Sequence, residues 1–319
     1  MTERGITLDI KRTDRNRDRA CSVDICIPVY RTDPTALIHQ LSQQDGAESV
    51  ALRIYDDGSG DAALSAEIHA ALAEYPGKSS FLEAAANCGR TAGRNAMLSV
   101  AETDWILLLD SDMRIDATDF LSIYRNAAAE CGEPCCIVGG FAIDPETVAP
   151  GTQLHAHQSV LSECLPAMER ARDPGRYVFT SNIFLHRTII EREQFDEGFA
   201  GWGWEDVEWG LRIAGRYPVV HVDNPAVHLG LDTANDILGK YRESADNFLR
   251  LLAAHPQAVA RMPLYRWARR FAGMPGLGLL VNIAARCAGA DLMPMRLRLV
   301  ALKVFRAGTY GAALNDAGQ

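Results

Sequence analysis

Asp110 and Asp112 stand either side of Ser111 at the end of an apolar run, Trp105-Ile106-Leu107-Leu108-Leu109. A run of that length reads as a buried strand, and open α/β sheets bind ligands just beyond the carboxyl ends of their strands. Two hard oxygen donors in that position suit a divalent cation and a phosphate. Three further segments, and one histidine, carry residue types that would complete such a site. Asp56-Asp57-Gly58-Ser59 sets carboxylates on a tight turn after a strand, where Asp57 can accept from a base imide or a ribose hydroxyl; a plain polar turn has the same composition. Asn87-Cys88-Gly89-Arg90-Thr91-Ala92-Gly93-Arg94-Asn95 puts Gly, Arg and Asn at a helix start, suited to a nucleotide diphosphate or to a capped helix with solvated arginines. Gly201-Trp202-Gly203-Trp204-Glu205-Asp206 joins flat indole faces, fit for a sugar ring, to carboxylates at a helix amino terminus; core tryptophans beside a capping acid are the plainer reading. His228 follows a strand, and an oxygen-rich site with one imidazole suits Mn2+.

The elements that must position these residues alternate. Strand patterns cover 23–30 (interrupted by Pro28), 50–55, 105–109 and 136–139, and helix patterns cover 35–41, 62–72, 91–100 and 120–129. Strand then helix, repeated, predicts a mostly parallel sheet with helices on both faces. After Phe141 the pattern loosens as far as Arg176 into a stretch bearing Pro and Gly, which predicts a lid or acceptor loop. Beyond it the pattern predicts a strand at 177–185, a helix from Glu205, a strand at 219–222, and one amphipathic helix over 236–252 capped by Asn235.

A chain of 319 residues can bury a substantial core, and its 48% apolar and 23% charged content is that of a globular protein. Eight cysteines in a chain this long, with no charged-then-apolar leader, predict reduced thiols in a cytoplasm. That includes the cluster Cys131, Cys135 and Cys136, which lacks a second paired motif for zinc. The net charge of -9 is unevenly spread. Residues 261–306 hold nine basic side chains against the single acid Asp291, a segment of +8 on a body of -17. Such asymmetry predicts a basic tail that meets an anionic surface. Within it, 264–274 read as a helix with Arg266, Arg269 and Arg270 on one face and Leu264, Trp267, Phe271 and Met274 on the other, as an interfacial helix requires. A helical cap on the catalytic domain or a homodimer interface is the alternative. The apolar stretch 276–290 is short, glycine-bearing and interrupted by Arg286, so it is not expected to span a bilayer. No nucleic-acid-binding motif accompanies the charge. The expected organisation is a flexible charged arm at 1–20, a catalytic domain at 21–255, and a basic amphipathic helical extension at 256–319.

Pro28-Val29-Tyr30, Asp56-Asp57-Gly58-Ser59, the 87–95 segment, Asp110-Ser111-Asp112 and Gly203-Trp204-Glu205-Asp206-Val207-Glu208 stand in an order that resembles glycosyltransferase family 2. The later block from Thr180-Ser181-Asn182 through Phe195-Asp196-Glu197 to His228 is similar to the bacterial chondroitin polymerase and β-1,4-galactosyltransferase type. The resemblance covers about 22–252 and implies a GT-A fold, that is, a Rossmann-like, mostly parallel sheet flanked by helices. It further implies an inverting transfer of sugar from a UDP-sugar donor to a glycan or lipid-linked acceptor in bacterial surface polysaccharide synthesis, at the cytoplasmic face of the membrane. Under it, Pro28, Tyr30, Asp57, Arg90 and Asp110 would bind the nucleotide sugar. Asp112 and His228 would hold Mn2+ or Mg2+, Asp206 would be the base, and Trp202, Trp204 and Glu205 would bind the acceptor. Arg31 departs from the Asn of many relatives. The rival readings are a non-catalytic GT-A-fold membrane adaptor and a sugar nucleotidyltransferase. The latter calls for a Gly-rich phosphate loop with a basic residue right after the first strand, and Cys26-Ile27-Pro28-Val29-Tyr30 offers none.

Overall fold

Eight strands form the central sheet in the computed structural model, which describes residues 10–15 and 22–318. They are β1 (Ile10–Arg15), β2 (Val23–Val29), β3 (Val50–Asp56), β4 (Lys78–Ala84), β5 (Trp105–Leu109), β7 (Cys136–Val138), β9 (Asn182–His186) and β10 (Val219–His221). A second, three-stranded sheet contains β6 (Met113–Arg114), β8 (Phe141–Ala142) and β11 (Ala226–His228). The large sheet runs in the order β1-β4-β3-β2-β5-β9-β7-β10, with only β1 and β9 antiparallel to their neighbours. After β2 the chain builds β3 and β4 to one side, then crosses to lay β5 on the other. That reversal opens a crevice outside the carboxyl ends of β2 and β5.

Alternate residues of these strands enter opposite apolar layers, as a period of two requires. Ile25, Ile27, Leu52, Ile54 and Leu107 join one cluster, and Cys26, Tyr55, Ile106 and Leu108 join the other. Helices α1 (Thr35–Ser42), α2 (Ala62–Glu74) and α4 (Phe120–Cys131) supply residues to the first layer; α3 (Arg90–Ser99) and part of α8 (Glu205–Ala214) supply the second.

Two strands of the large sheet lie outside the sequence expectation, as do all three of the small sheet. β4 is broken up by Lys78, Ser79, Ser80 and Glu83, yet Ser79 and Ser80 are buried, and Ser80 accepts from buried Arg53 at 3.3 Å. A neighbouring strand's guanidinium makes the Ser80 hydroxyl acceptable in the core, and no periodicity in β4 itself could report that. β1 falls within the expected arm and pairs antiparallel with β4 from Ile10↔Ala84 to Arg15↔Ser79. The rest of that arm lies outside the described residues.

The stretch expected as a lid contains two helices, α5 (Gln153–Ser162) and α6 (Ala167–Arg170); Leu154 of α5 is fully buried with Ile237, Leu238 and Phe305. A short helix α7 (Arg187–Arg192) follows β9. The single helix expected over 236–252 is divided at Ser244 into α9 (Ala234–Glu243) and α10 (Ala245–Ala254). Its cap is Thr233, whose hydroxyl accepts from the Asp236 N–H while the Asp236 carboxylate accepts from the Thr233 N–H; Asn235 lies inside the helix.

The extension folds as α11 (Pro256–Arg261), α12 (Pro263–Phe271), α13 (Leu277–Gly289) and α14 (Met295–Asp316). It shares cores with the preceding half rather than standing apart. Phe305 and Leu302 pack with α5 and α9, and Tyr310 and Leu314 pack with Phe199, Phe248 and Leu251. Among the described residues, 22–255 and 256–318 are thus continuous in packing. Leu264 and Ala268 of α12 and the following Ala272 also enter this core, while Trp267, from the face expected to meet lipid, stays exposed.

Candidate active site

A cavity of about 520 Å³ occupies the crevice at the strand ends. Its wall includes Pro28, Tyr30, Asp57, Arg90, Asp110, Asp112 and Trp202, together with Arg94, Lys240 and Glu243. Seven of the eleven residues singled out from the sequence therefore meet in one place.

Asp57 is held by what it holds. One carboxylate oxygen accepts from the Cys88 N–H at 3.0 Å and the other from the Gly89 N–H at 3.0 Å, while the Cys88 thiol donates at 2.8 Å. The carboxylate thus pins the loop that starts α3 against the end of β3, and its free lone pairs line the cavity. The Cys88 thiol is pushed up to about 11, chiefly by burial and by Asp57, so it stays protonated as a donor. At the rim, Arg31 has φ 55, and its N–H donates to Ser59 Oγ at 2.7 Å. That left-handed conformation is one that Asn tolerates better than Arg, which gives the departure at this position a backbone meaning.

Asp112 and His228 come together through the small sheet. β11 pairs with β6 so that His228 lies opposite Met113, and the Leu229 N–H donates to the Asp112 carbonyl at 2.9 Å. His228 Nε2 is 3.3 Å from Asp112 Oδ2. Burial opposes charge on both groups, but each outweighs it for the other: Asp112 is held below the usual carboxylate range and His228 above the usual imidazole range. Gly230 completes the arrangement, because a Cβ there would collide with Asp112 Oδ2. One carboxylate and one imidazole fit a divalent cation of the Mn2+ or Mg2+ kind. Among the described residues no three His, Cys, Asp or Glu side chains form a metal-holding group, and Asp112 and His228 are a pair.

Asp206 and Glu205 open α8, with Glu208 in the same turn, and the helix dipole favours acids there. Trp204 caps the helix in a left-handed conformation, φ 75, after Gly203 at φ 94; this sharp turn aims the first helical residues back toward the sheet. Asn247 secures the turn from α10, its amide donating to the Ala200 and Gly203 carbonyls at 2.9 Å each.

Arg94 joins the two halves of the site. Its guanidinium is 3.1 Å from Asp110, 3.6 Å from Asp206 and 3.7 Å from Glu205, while Arg90 pairs with Glu205 at 2.9 Å. Glu205 is buried and engaged by two arginines, so it acts on their positions rather than offering itself to an acceptor. Asp206 accepts from Thr180 Oγ1 at 3.0 Å. Burial pushes its carboxyl up to about 6, with Arg94 pulling down and Glu205 pushing up. That value suits a proton acceptor working near neutrality.

The two loop tryptophans part company. Trp202 lines the cavity, with Lys240 Nζ 5.6 Å from its ring centre. Trp204 turns away from the cavity wall: its indole N–H donates to Tyr310 Oη at 3.0 Å, and its ring lies against Phe248 and Arg306. The sequence expectation that it binds the acceptor is thus replaced by packing. Arg94, Thr180, Gly230 and Asn247 went unnoticed as individuals, because each acts through a partner 16 to 44 or more positions away.

A mostly parallel sheet whose switch-point crevice ends in an Asp-x-Asp turn has the GT-A fold, and solved glycosyltransferases share it. A mannosyltransferase from Pyrobaculum calidifontis, PcManGT, in complex with GDP-Man and Mn2+, matches at TM-score 0.56 and 14% identity over 96% of this chain and 91% of its own. S. aureus TarS 1-349 matches at 0.53 and 16% identity over 93% and 92%, and its complex with UDP at 0.53 and 14%. At these identities the likeness is one of fold. No curated protein matches the chain. Residues 24–173, from β2 through α6, match the model of Glycosyl transferase family 2.

Proposed function

We propose that the protein is an inverting, metal-dependent glycosyltransferase that moves a sugar from a UDP-sugar donor to a hydroxyl of a glycan or lipid-linked acceptor in bacterial surface polysaccharide synthesis. The observation that carries this reading is the single guanidinium of Arg94, which spans from Asp110 on the strand-end turn to Asp206 on α8. The candidate base is thereby tied to the turn that carries Asp112, although Asp206 and His228 stand behind the residues that line the cavity. In transfer, the acceptor oxygen attacks the anomeric carbon, its proton passes to Asp206, and the bond to the diphosphate oxygen breaks with both electrons leaving on the nucleoside diphosphate. One displacement from the opposite face inverts the centre. Asp112 and His228 would hold the cation, which neutralises charge on the leaving diphosphate when bound. In this reading Asp57, Tyr30 and Arg90 bind the nucleotide sugar and Trp202 meets the acceptor ring, which their shared place in the cavity wall supports.

A thermal-shift panel of UDP-, GDP- and TDP-sugars, each with and without Mn2+, tests the donor assignment. A metal-dependent rise with UDP-sugars supports it; a rise confined to GDP-sugars overturns it.

A further inference from the structure

Eleven large apolar side chains are exposed among the described residues, and six of them fall within 34 consecutive positions: Trp267, Leu279, Ile283, Leu292, Leu297 and Val300. On α13, Leu279, Ile283 and Arg286 recur at spacings of four and three, on one side of the helix; on α14, Arg296, Leu297, Val300 and Lys303 do the same. The two helices pack as a hairpin, with Gly308 admitting Val281 and Leu277, so their outer sides are neighbours. Leu292 stands fully exposed at the turn between them, and on α12 Arg270 lies 5.1 Å from the ring centre of exposed Trp267. Arg286 shares the exposed side of α13, Arg296 and Lys303 share that of α14, and Arg266, Arg269 and Arg270 are exposed on α12 beside Trp267 in sequence. The one acid of the segment, Asp291, is bound to Arg298 at 2.9 Å.

We propose that this face, the outer side of the α13–α14 hairpin with Trp267, docks the protein on the surface of an anionic lipid bilayer. Apolar side chains flanked by arginines match the two layers of such a surface, acyl chains beneath phosphate headgroups. A second copy of the chain is disfavoured as occupant, because a two-fold interface would set the positive strip against itself. Among the described residues no helix is long and apolar enough to cross a membrane, so contact by a helix would be along its side. The inference deepens the proposed function, supplying the place where a lipid-linked acceptor is met, but docking is read without turnover. The two can therefore fail separately.

The test is co-sedimentation of the full chain with phosphatidylglycerol-containing vesicles and with pure phosphatidylcholine vesicles. The expected result is recovery with the anionic vesicles only, release as salt approaches 1 M, where the screening length is about 3 Å, and a loss of roughly tenfold or more in the combined variant Ile283→Ser, Leu297→Ser, Val300→Ser. UDP binding by that variant should match the parent. Equal recovery with both vesicle types, no recovery with either, or unchanged binding by a variant that melts like the parent would overturn the proposal. So would sedimentation of the parent as a dimer that the same substitutions convert to a monomer. Should the variant melt early, the salt series and the vesicle comparison on the parent decide.

Discussion

Asp206 carries the sharpest consequences at the scale of single residues. With a carboxyl raised to about 6, it is ionised and able to take a proton only above that pH. kcat/KM should therefore fall about tenfold per pH unit on the acid side of about 6. Asp206→Asn should lower transfer by about 10² to 10⁴ while calorimetric UDP affinity stays unchanged; lost UDP binding by a folded variant would count against the role. The sign for stability runs the other way. A folded value above the unfolded carboxylate's roughly 3.9 means that the contribution is present below about pH 4 and lost as pH rises through about 6. Asp206→Asn should accordingly melt no lower than the parent at pH 8, and gain less at pH 4. Gly230→Ala, by driving a methyl into the space of the Asp112 carboxylate, should weaken Mn2+-dependent UDP affinity by roughly tenfold or more with little change in circular dichroism. Asp112, Asp206 and His228 stood out in the sequence because carboxylates and an imidazole beside strand and helix ends are chemically conspicuous. Arg94 did not, because an arginine at a helix start declares nothing until its three acidic neighbours are folded around it.

The elements show where local pattern suffices and where it does not. β2, β3 and β5 are mainly apolar runs covered on both faces, and they form close to where their sequences predict them. β4, with its serines and charges, forms because Arg53 crosses from β3 to meet Ser80 and the buried Asp24 at 2.7 Å. Trp204 makes the same point for a loop: a glycine-flanked indole has the composition of a sugar platform, yet Tyr310, over a hundred positions later, takes its N–H. The Tyr310 hydroxyl also bonds Ser244 Oγ at 2.6 Å, at the point where α9 gives way to α10. Tyr310→Phe takes a partner from the half-buried Trp204 indole and leaves buried Ser244 only the Tyr241 carbonyl, which should cost about 1–3 kcal/mol in denaturant unfolding. A loss within a few tenths would show that water or a neighbour replaces the hydroxyl.

Taken as a whole, the molecule does not divide at residue 256. Phe305, Tyr310 and Leu314 are fully buried beside α9 and α10, and Asn247 of α10 holds the turn that presents Asp206. Removing everything after Pro256 should therefore lower the melting temperature sharply or abolish folding, and weaken transfer through the displaced turn. A truncated chain that melts like the parent would refute that continuity. The charge imbalance, +8 in the tail against -17 elsewhere, was legible in composition, and so was the apolar character of the tail. Which of its faces is spent on the protein was not. α12 turns Leu264 and Ala268 inward but leaves Trp267 exposed, and further exposed apolar side chains run along α13 and α14.

Taken alone, the order of strands and helices, the strand-end carboxylates and the family resemblance all followed from the sequence, because period, turn chemistry and residue type are properties of neighbours along the chain. The joining of Asp112 to His228, the bridge from Asp110 through Arg94 to Asp206, the inward turn of Trp204 and the exposed face of the tail awaited the tertiary structure. Each depends on side chains tens to a hundred or more positions apart, whose contact is set by sheet register and helix packing rather than by any local preference.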